Sequence, residues 1–592
     1  MALSLVVGPA HAGKVALLLE RYLESLERDP WLVVPNRGDI ERVERDLLKR
    51  RGALLAGRIG TFDDLFASIA EETSGHRSIA SDVERSLAIR RAIAETPLER
   101  LTSSAESRGF ALSLLGTLDE IGSALVDPAR LDGDLARLAH AYAEQLERIG
   151  LRDRSLVRQA AVAKLESAFD VWHAEPVFAY GFEDLTAAEW SLLEALAGRA
   201  DVTVSVPYEP GRAAFASLER TVEDLAQLAG GSVRGLPPAT SRGVPGALQH
   251  LERTLFTDAP DVGPALEGSV RFLEAAGGRA TAELLAAEVA AILRAGTPAD
   301  RIAVVCDSVD RWRTLLDAAF SPLSIPYAVE QSSRIADAPF GRALLALLRY
   351  AWGQRKRGDL FVFLRSPFSG LERRNVDFVE GRLRGRAITD PARVEEESER
   401  LRGAPWPALG ELRTEEDPVV AARTLARTMV RSAWGLEAPP VGDDARADAG
   451  SYQAALRTLD ELQRFAALDG SPIPREEVLA ALESTLFRAH STAERGRVVV
   501  LDYGRARTRS FDTVLLLGLE EGSFPRRDRP SPFLNDDARR RLGGRLERPS
   551  SVSRDRYLFY TACTRAEPVL VRRPLALRGG RRRAGDVPAL VV

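Results

Sequence analysis

The sequence predicts an α/β protein with two parallel-sheet cores, each interrupted by a long helical insertion. Short apolar runs rich in β-branched residues alternate with long Ala/Leu/Arg/Glu stretches of helical periodicity. Alternation of this kind is typical of parallel sheets covered by helices on both faces. Two stretches, 77–160 and 336–490, carry almost no strand signal, and a Gly- and Pro-rich stretch at 231–264 separates the two groups of strands.

The strand signals, taken in chain order, define the limits of the two cores. The predicted strands are 3–7, 31–35, 177–182, 202–207, 270–274, 301–306, 497–502 and 513–519. The domain prediction is a first core at 1–76 and 161–230, a helical insertion at 77–160, a linker at 231–264, a second core at 265–335 and 491–571, a helical insertion at 336–490 and an Arg-rich tail at 572–592.

Composition narrows the class of protein. The chain has 592 residues, is 45% hydrophobic and 28% charged, and carries a net charge of −4, which is typical of a soluble globular protein. Any nucleic-acid surface must therefore be a local patch. Cys306 and Cys563 lack metal-ligand spacing and are expected to be buried thiols. No apolar run reaches membrane length and no signal peptide precedes the first strand, so the expected location is the cytoplasm and no membrane partner is expected.

A phosphate-binding loop is predicted between the first strand and the first helix. The pattern G-x-x-x-x-G-K-[ST] surrounds a phosphate with backbone N–H groups, its lysine reaches the terminal phosphates, and its final hydroxyl binds Mg²⁺. Val15 replaces that hydroxyl. The chain has four lysines, and one of them occupies the motif. The predicted nucleotide-binding residues of this loop are Gly8, Pro9, Ala10, His11, Ala12, Gly13, Lys14 and Val15.

Blocks further along the chain resemble the superfamily I helicases of the UvrD/RecB type. Residues 511–525 and 557–566, the latter ending in Thr-Arg-Ala, are similar to the second core of that family. Thr61–Phe62 resembles its DNA-contacting Thr-Phe motif, Thr281–Glu283 its fourth motif, and Ile325–Tyr327 the turn after the following helix. The resemblance implies two RecA-like P-loop cores whose helical insertions are the paired accessory subdomains of that family.

The residues that hydrolyse ATP in that family are missing. Its second motif supplies an Asp that holds Mg²⁺ and a Glu that orients water, whereas Tyr180 and Gly181 stand at these positions. With Val15, these losses remove the oxygen ligands that Mg²⁺ requires. The third motif is absent, no adenine-reading Gln motif precedes the first strand, and Arg507–Phe511 replaces the fifth motif. We therefore expect no catalytic residue, no protein-held Mg²⁺, and ATP bound, if at all, without hydrolysis.

Three acidic residues follow the two missing carboxylates. Glu183, Asp184 and Glu189 look like a metal or catalytic cluster, but they lie past the register of the catalytic pair. They are interpreted as structural residues.

A decayed motor in a helicase framework resembles the AddB subunits of AddAB helicase–nucleases. Val33–Asn36, Gly181–Thr186 and Gly518–Gly522 carry this resemblance. It implies a motor partner resembling AddA and a substrate of double-strand DNA ends and single strand. Such subunits carry a C-terminal PD-(D/E)XK nuclease, often with an iron–sulfur cluster. Neither is expected here, because the chain ends 26 residues after Ala566 and has two cysteines. The expectation is a truncated or frameshifted coding sequence.

The resemblance also assigns site residues, each beside a structural alternative. Arg565 would face the nucleotide phosphates, or pair with a surface carboxylate. The predicted DNA-binding residues are Asn36, Thr61, Phe62, Arg505 and Arg507. Phe62 offers a stacking face or is a core aromatic, and the arginines, together with Arg509, line one strand edge at period two or are solvated.

The leading hypothesis is a DNA-binding, non-motor AddB-like subunit of an ATP-dependent helicase–nuclease in recombinational repair. The complex would be a hydrolase, whereas enzymatic activity of this chain itself stays open. One alternative is an active helicase of the same superfamily, and another is a P-loop kinase or nucleotide sensor.

Overall fold

The computed structural model describes most of the chain and confirms an α/β fold with helical insertions. Two six-stranded sheets are present. The described residues are 3–71, 78–107, 109–168, 171–238, 246–257, 263–266, 268–434, 443–488, 496–520, 522–527, 531–566 and 586–591. Within these ranges, no helix is long and apolar enough to cross a membrane.

The first sheet is entirely parallel and contains the N-terminal strand near its centre. Its strands are β1 (Leu3–Gly8), β2 (Trp31–Val33), β3 (Arg58–Gly60), β4 (Val177–Tyr180), β5 (Val202–Pro207) and β6 (Val233–Gly235). Their order is β3-β2-β4-β5-β1-β6. The carboxyl ends of β1 and β4 lie either side of β5, which brings the loop after β1 and the residues after β4 to one edge of the sheet.

The second sheet has a parallel centre and an antiparallel side. Its strands are β7 (Arg271–Ala276), β8 (Ile302–Cys306), β9 (Tyr327–Val329), β12 (Val498–Asp502), β13 (Thr513–Leu517) and β14 (Asp586–Val591), and a separate short pair is β10 (Ser333–Arg334) with β11 (Leu486–Phe487). The order is β7-β14-β13-β8-β12-β9, with β14 antiparallel to both neighbours. The residues after β8 and β12 therefore lie side by side.

Helices cover both sheets and form the insertions. Their bounds are α1 Lys14–Glu24, α2 Arg37–Arg51, α3 Phe62–Glu71, α4 Asp82–Glu95, α5 Thr102–Ala105, α6 Phe110–Ser123, α7 Gly133–Arg148, α8 Arg154–Ser167, α9 Ala187–Ala197, α10 Glu219–Leu228, α11 Gly246–Thr254, α12 Gly277–Arg294, α13 Val309–Phe320, α14 Pro339–Trp352, α15 Arg357–Leu364, α16 Arg373–Gly385, α17 Pro391–Arg402, α18 Pro407–Thr414, α19 Pro418–Trp434, α20 Asp443–Asp469, α21 Arg475–Ser484, α22 Asp536–Leu542 and α23 Ser551–Cys563.

All eight predicted strands are present, but two segments differ from their sequence-based description. The stretch 231–264, predicted as a linker, contains β6, which pairs in parallel with β1, and the helix α11. The Arg-rich stretch 572–592 contains β14, whereas 567–585 and residue 592 lie outside the described residues. Three-residue strands such as β6 are too short to show a period of two in the sequence.

The two helical insertions pack against each other. One apolar cluster joins residues of α4–α7 to residues of α14–α21. Buried charges connect the same elements, because the Glu84 carboxylate on α4 accepts from Arg464 on α20 at 2.7 Å, and Arg91 on α4 pairs with the buried Asp469. The insertions thus form one helical layer.

The two cores also share an apolar cluster. It contains residues of both sheets and of α23. The Phe215 ring of the first core lies 4.9 Å from the Tyr560 ring on α23, in an edge-to-face arrangement. Both predicted buried thiols are confirmed, since Cys306 and Cys563 are buried and unpaired. The cores therefore meet through an apolar interface, and the predicted nucleotide loop lies at its margin.

Candidate phosphate loop and nucleic-acid crevice

The predicted loop ends in a left-handed glycine at the start of α1. Gly13 adopts a left-handed conformation with φ 82° and caps α1 without any side-chain hydrogen bond, which leaves the first N–H groups of the helix without a side-chain cap. Gly8 is required for a different reason, because a Cβ there would lie 2.7 Å from the carbonyl oxygen of Leu236. The loop is thus pressed against the segment that follows β6.

Lys14 is buried beside a second cation. The residue is 9% exposed. Its Nζ donates to the carbonyl oxygen of Gly8 at 2.8 Å and to that of Pro9. Burial, and then the positive charge of Arg565, lower the pKa of Lys14 to about 7. The carboxylates of Glu252 and Glu209 oppose this shift less strongly. The loop therefore contains a desolvated ammonium that an anion would stabilise.

Arg565 lies close enough to the loop for its charge to lower the pKa of Lys14. Its guanidinium donates to the carbonyl oxygens of Thr561 at 3.1 Å and Arg507 at 3.2 Å, and to the Thr564 hydroxyl at 3.4 Å. Burial lowers its pKa below the ordinary value for arginine. In these hydrogen bonds, Lys14 and Arg565 donate to carbonyl and hydroxyl oxygens, which are neutral. The carboxylate of Glu252 also acts on both cations and opposes the effect of burial on the pKa of each. A phosphate would supply a charged acceptor, which these bonds do not give to either cation.

The metal side of the site does not fit Mg²⁺. Val15 supplies a hydrocarbon side chain that is 40% exposed. Tyr180 is 2% exposed and packs in the apolar cluster around Phe178, where burial raises the pKa of Tyr180 to about 12. Across the described part of the chain, no group of three or more His, Cys, Asp or Glu residues could hold a metal ion. The residues present fit a phosphate and not its magnesium.

Gly181 is a structural requirement as well as a missing carboxylate. Its φ is 86°, and a Cβ would lie 2.9 Å from Pro35 Cγ and 3.1 Å from Thr508 Cγ2. Thr508 belongs to the second core, and its hydroxyl donates to Asp39 of the first core at 2.7 Å. The space beyond β4 is therefore filled by the second core.

The acidic residues after Gly181 have structural partners, in line with their interpretation from the sequence. Glu183 forms ion pairs with Arg507 at 2.7 Å and Arg554 at 2.9 Å. Asp184 accepts a hydrogen bond from the Thr221 hydroxyl at 2.9 Å. Glu189 forms a capping box at the start of α9. None of these contacts brings the three carboxylates together as a metal site.

The second core also contacts the loop directly. The backbone N–H of Ala10 donates to the Tyr560 hydroxyl at 3.2 Å, and His11 Nε2 is hydrogen-bonded to the carbonyl oxygen of Thr564. The Arg212 guanidinium lies over the Tyr560 ring, 5.1 Å from its centroid. The loop is therefore held by α23 and by the residue that follows it.

The predicted DNA-binding residues of the first core have different surroundings. Asn36 is exposed and caps α2, with its side-chain oxygen accepting from the Asp39 N–H at 3.2 Å. The Thr61 hydroxyl donates to Asp64 at 2.8 Å. Phe62 is 3% exposed, and its ring centroid lies 4.8 Å from that of Phe182. The core alternative therefore replaces the prediction that Phe62 stacks on a base.

The arginines after β12 do not line a strand edge at period two, because Arg505–Thr508 form a 3₁₀ turn. Arg507 pairs with Glu183 at 2.7 Å, and Arg509 pairs with the buried Glu330. The Arg505 side chain is 40% exposed and lies 3.6 Å from Asp502. Asp502 and Glu330 thus place carboxylates among these cations. The sequence did not predict the pairing of Arg509 with Glu330, because Glu330 lies far away in the chain.

Two neighbouring cavities lie at the carboxyl ends of strands. One part, of about 20 Å³, lies between the cores, and the adjoining part, of about 300 Å³, lies over β8 and β12 of the second sheet. Both parts share Gln331. We call these two parts together the crevice. Its lining includes Asn36, Gly38, Asp39, Val329, Glu330, Arg488, Arg505 and Arg509 in the first part and Asp307, Ser308, Asp502, Tyr503, Gly504, Phe524, Arg526 and Arg554 in the second.

Arg488 and Gln331 are crevice residues that the sequence did not single out. Arg488 follows the two-residue strand β11 and is exposed. No pattern surrounds it in the sequence, so the only signal for it was its charge.

Anion binding at the loop is expected to weaken as pH rises. Because the pKa of Lys14 is about 7 in the free protein, its ammonium is mostly charged at pH 6 and mostly neutral at pH 8. The affinity for sulfate, whose charge is constant in this range, should fall about tenfold between these values. Calorimetric titration of sulfate checks this.

The matched control is Lys14→Arg, which keeps its charge and should bind sulfate with little dependence on pH. A wild-type affinity that does not change between pH 6 and pH 8 would contradict the assignment of Lys14 as the anion-binding group.

Fold and site together define a two-core α/β protein with helical insertions, in which a G-x-x-x-x-G-K loop contains a buried lysine and continues with Val15 in place of a hydroxyl residue. No known protein-family model matches the chain. The chain is 23% identical, over 97% of its length, to the AddB subunit of the ATP-dependent helicase/deoxyribonuclease of Symbiobacterium thermophilum. It is also 25% identical to proteins of the same name, over 96% of the chain for that of Moorella thermoacetica and over 71% for that of Pelotomaculum thermopropionicum.

The predicted resemblance to AddB subunits is confirmed by these relatives, and the chain is AddB-like. It covers 58%, 57% and 39% of the length of these three curated relatives, in the order given.

Proposed function

We propose that this chain is a DNA-binding, non-motor subunit of an ATP-dependent helicase–nuclease that processes double-strand-break ends for recombinational repair. The observation that carries the proposal is the split character of the loop. Its anion side is intact at Lys14 and Arg565, whereas the metal side is filled by Tyr180 and by Thr508 above Gly181. ATP hydrolysis needs both the phosphate-binding and the metal-binding residues, whereas phosphate binding needs only the former.

The nucleotide proposal follows from the same split. ATP would be held through its phosphates by Lys14, Arg565 and the N–H groups at the start of α1, and it would add negative charge to a site that now contains buried cations. This chain supplies no carboxylate at the end of β4 to orient water. Nucleotide would therefore be bound by this chain without being hydrolysed.

DNA binding is proposed for the crevice. Arg488 is exposed, and the side chain of Arg505 is 40% exposed. Arg526 and Arg554 also line the crevice, but they pair with Asp555 and Glu183. Such cations can contact successive phosphates of a single strand, and Asn36 adds a polar group on the side of the first core. The carboxylates of Asp307 and Asp502 in the same wall disfavour a uniformly tight grip on phosphate. The crevice therefore suits a single strand that is bound weakly enough to move along it.

We assign ATP hydrolysis to a different polypeptide, which would be the partner of this chain. The curated relatives are named as one subunit of a helicase/deoxyribonuclease. A chain that holds DNA without hydrolysing ATP needs a separate motor, and we propose one resembling AddA. This assignment explains why the site can lose its metal ligands while the framework stays intact.

Loss of crevice cations is expected to weaken single-strand binding. The double variant Arg488→Ala/Arg505→Ala should bind a fluorescent 20-nucleotide single strand about tenfold more weakly at 0.1 M salt. The salt dependence of log Kd should also become shallower by about one unit for each phosphate contact removed. Fluorescence anisotropy at several salt concentrations measures both.

Arg386→Ala is the matched control, since Arg386 is an exposed arginine just after α16, in the helical layer. It should bind the strand as the wild type does. Equal weakening by the control, or unchanged binding by the double variant, would contradict the crevice assignment.

A further inference from the structure

The Glu183 carboxylate joins the two cores. It lies in the first core, just after β4, and is largely buried, with a side chain that is 10% exposed. Its two oxygens meet Arg507 at 2.7 Å and Arg554 at 2.9 Å, and both arginines belong to the second core. One carboxylate of the first core thus neutralises two cations of the second.

Arg507 requires an anion in this position. Its side chain is 18% exposed, and its Nε is already occupied by the carbonyl oxygen of Gly504 at 2.7 Å. Its own carbonyl oxygen accepts from Arg565. A desolvated guanidinium is stable when a charged acceptor faces it. Glu183 places a carboxylate opposite Arg507 from within the chain, so no bound phosphate is needed to attract Arg507 toward the first core.

The neighbouring contacts leave little free space between the cores. Thr508, the residue after Arg507, lies against Gly181 and donates to Asp39 at 2.7 Å. On the other side, Tyr560 packs on Phe215 and accepts from the Ala10 N–H. Opening the cores would expose this apolar cluster and unpair buried polar groups together.

We propose that Glu183 acts as an internal anion that holds the two cores closed even when the loop contains no nucleotide. A ligand shifts a conformational equilibrium only as far as its affinity differs between the two states. Because Arg507 and Arg554 are already paired with Glu183, nucleotide adds no new bond at these two cations. A bond from nucleotide to Arg565 would favour a closed state that is already populated. The loop can then be empty or filled without any movement of the cores.

This property belongs to the isolated chain without DNA and so goes beyond the proposed function. It is tested by the distance between spin labels at Glu44→Cys on α2 and Thr314→Cys on α13, which are exposed positions on the two cores. Cys306 and Cys563 are buried, so labelling is directed to the introduced thiols. Pulsed electron paramagnetic resonance is recorded without ligand, with ADP and with a slowly hydrolysed ATP analogue.

The labelled protein with native Glu183 should give one narrow distance distribution in all three conditions. Glu183→Gln should raise the fraction of molecules with longer distances about tenfold, since a charge-assisted pair is lost. Arg554→Gln, at a position whose side chain is 53% exposed, should shift the distribution in the same direction by a smaller amount. Asp201→Asn is the control, because Asp201 pairs with Arg28 within the first core.

Two results would overturn the inference. One is a nucleotide-dependent change of the distance in the protein with native Glu183. The other is a distribution that Glu183→Gln and Arg554→Gln both leave unchanged. Neither result bears on DNA binding, which is measured separately in the crevice variants.

Discussion

Restoring the missing metal-site residues is expected to destabilise the chain without producing ATP hydrolysis. In the triple variant Val15→Thr/Tyr180→Asp/Gly181→Glu, the new carboxylate at 180 replaces a ring that is 2% exposed in an apolar cluster. The side chain at 181 must adopt a φ of 86° with its Cβ 2.9 Å from Pro35 Cγ. Unfolding free energy should fall by at least about 4 kcal/mol, measured by urea denaturation.

The single variant Val15→Thr is the control for this loss. Val15 is 40% exposed, so its replacement should change the free energy of unfolding by less than about 0.5 kcal/mol. A triple variant that folds as stably as the wild type and hydrolyses ATP would show that the losses are superficial and that the motor is recoverable.

Removing Arg85 is expected to have the second large effect, on the stability of the first helical insertion. The buried Arg85 donates to Asp153 at 2.9 Å and to the Tyr142 hydroxyl at 3.1 Å, and it pairs with Asp119. Burial alone would raise the pKa of Asp153, but the charge of Arg85 keeps it below its ordinary value. Arg85→Met leaves Asp153 buried without its cation, which should cost about 3–5 kcal/mol of unfolding free energy.

Arg400→Met serves as the comparison, because Arg400 pairs with Glu396 on an exposed helix face, where such pairs contribute about 0–1 kcal/mol. Denaturant unfolding of both variants separates the two cases. Similar small losses for Arg85→Met and Arg400→Met would show that the buried network does not hold the insertion together.

The sequence predicts the strands of this fold better than its contacts. Runs such as 302–306 and 513–517 are buried throughout, so continuous β-branched and apolar residues identify them. The three-residue strands β3 and β6 give no such signal and depend on their neighbours in the sheet. Local pattern therefore identifies the buried central strands and the edge strand β7, and it misses the edge strands β3, β6 and β9.

The candidate site divides in a similar way. The loop around Lys14 is contiguous in the sequence, and its residues are together in the structure. Phe62 packs against Phe182, and Arg507 pairs with Glu183. Both partners are distant in the chain, so the sequence did not predict these contacts. Spacing shows which residue types are present, whereas exposure and pairing arise from tertiary contacts.

The central claim is that this chain holds DNA without being a motor, and its most direct test is the ATPase rate of the purified chain with saturating single-stranded DNA and Mg²⁺. We predict no stimulation by DNA, and the same background rate for Lys14→Ala, while the strand remains bound. A DNA-stimulated rate that disappears in Lys14→Ala would contradict the account, because it would show hydrolysis at the loop itself.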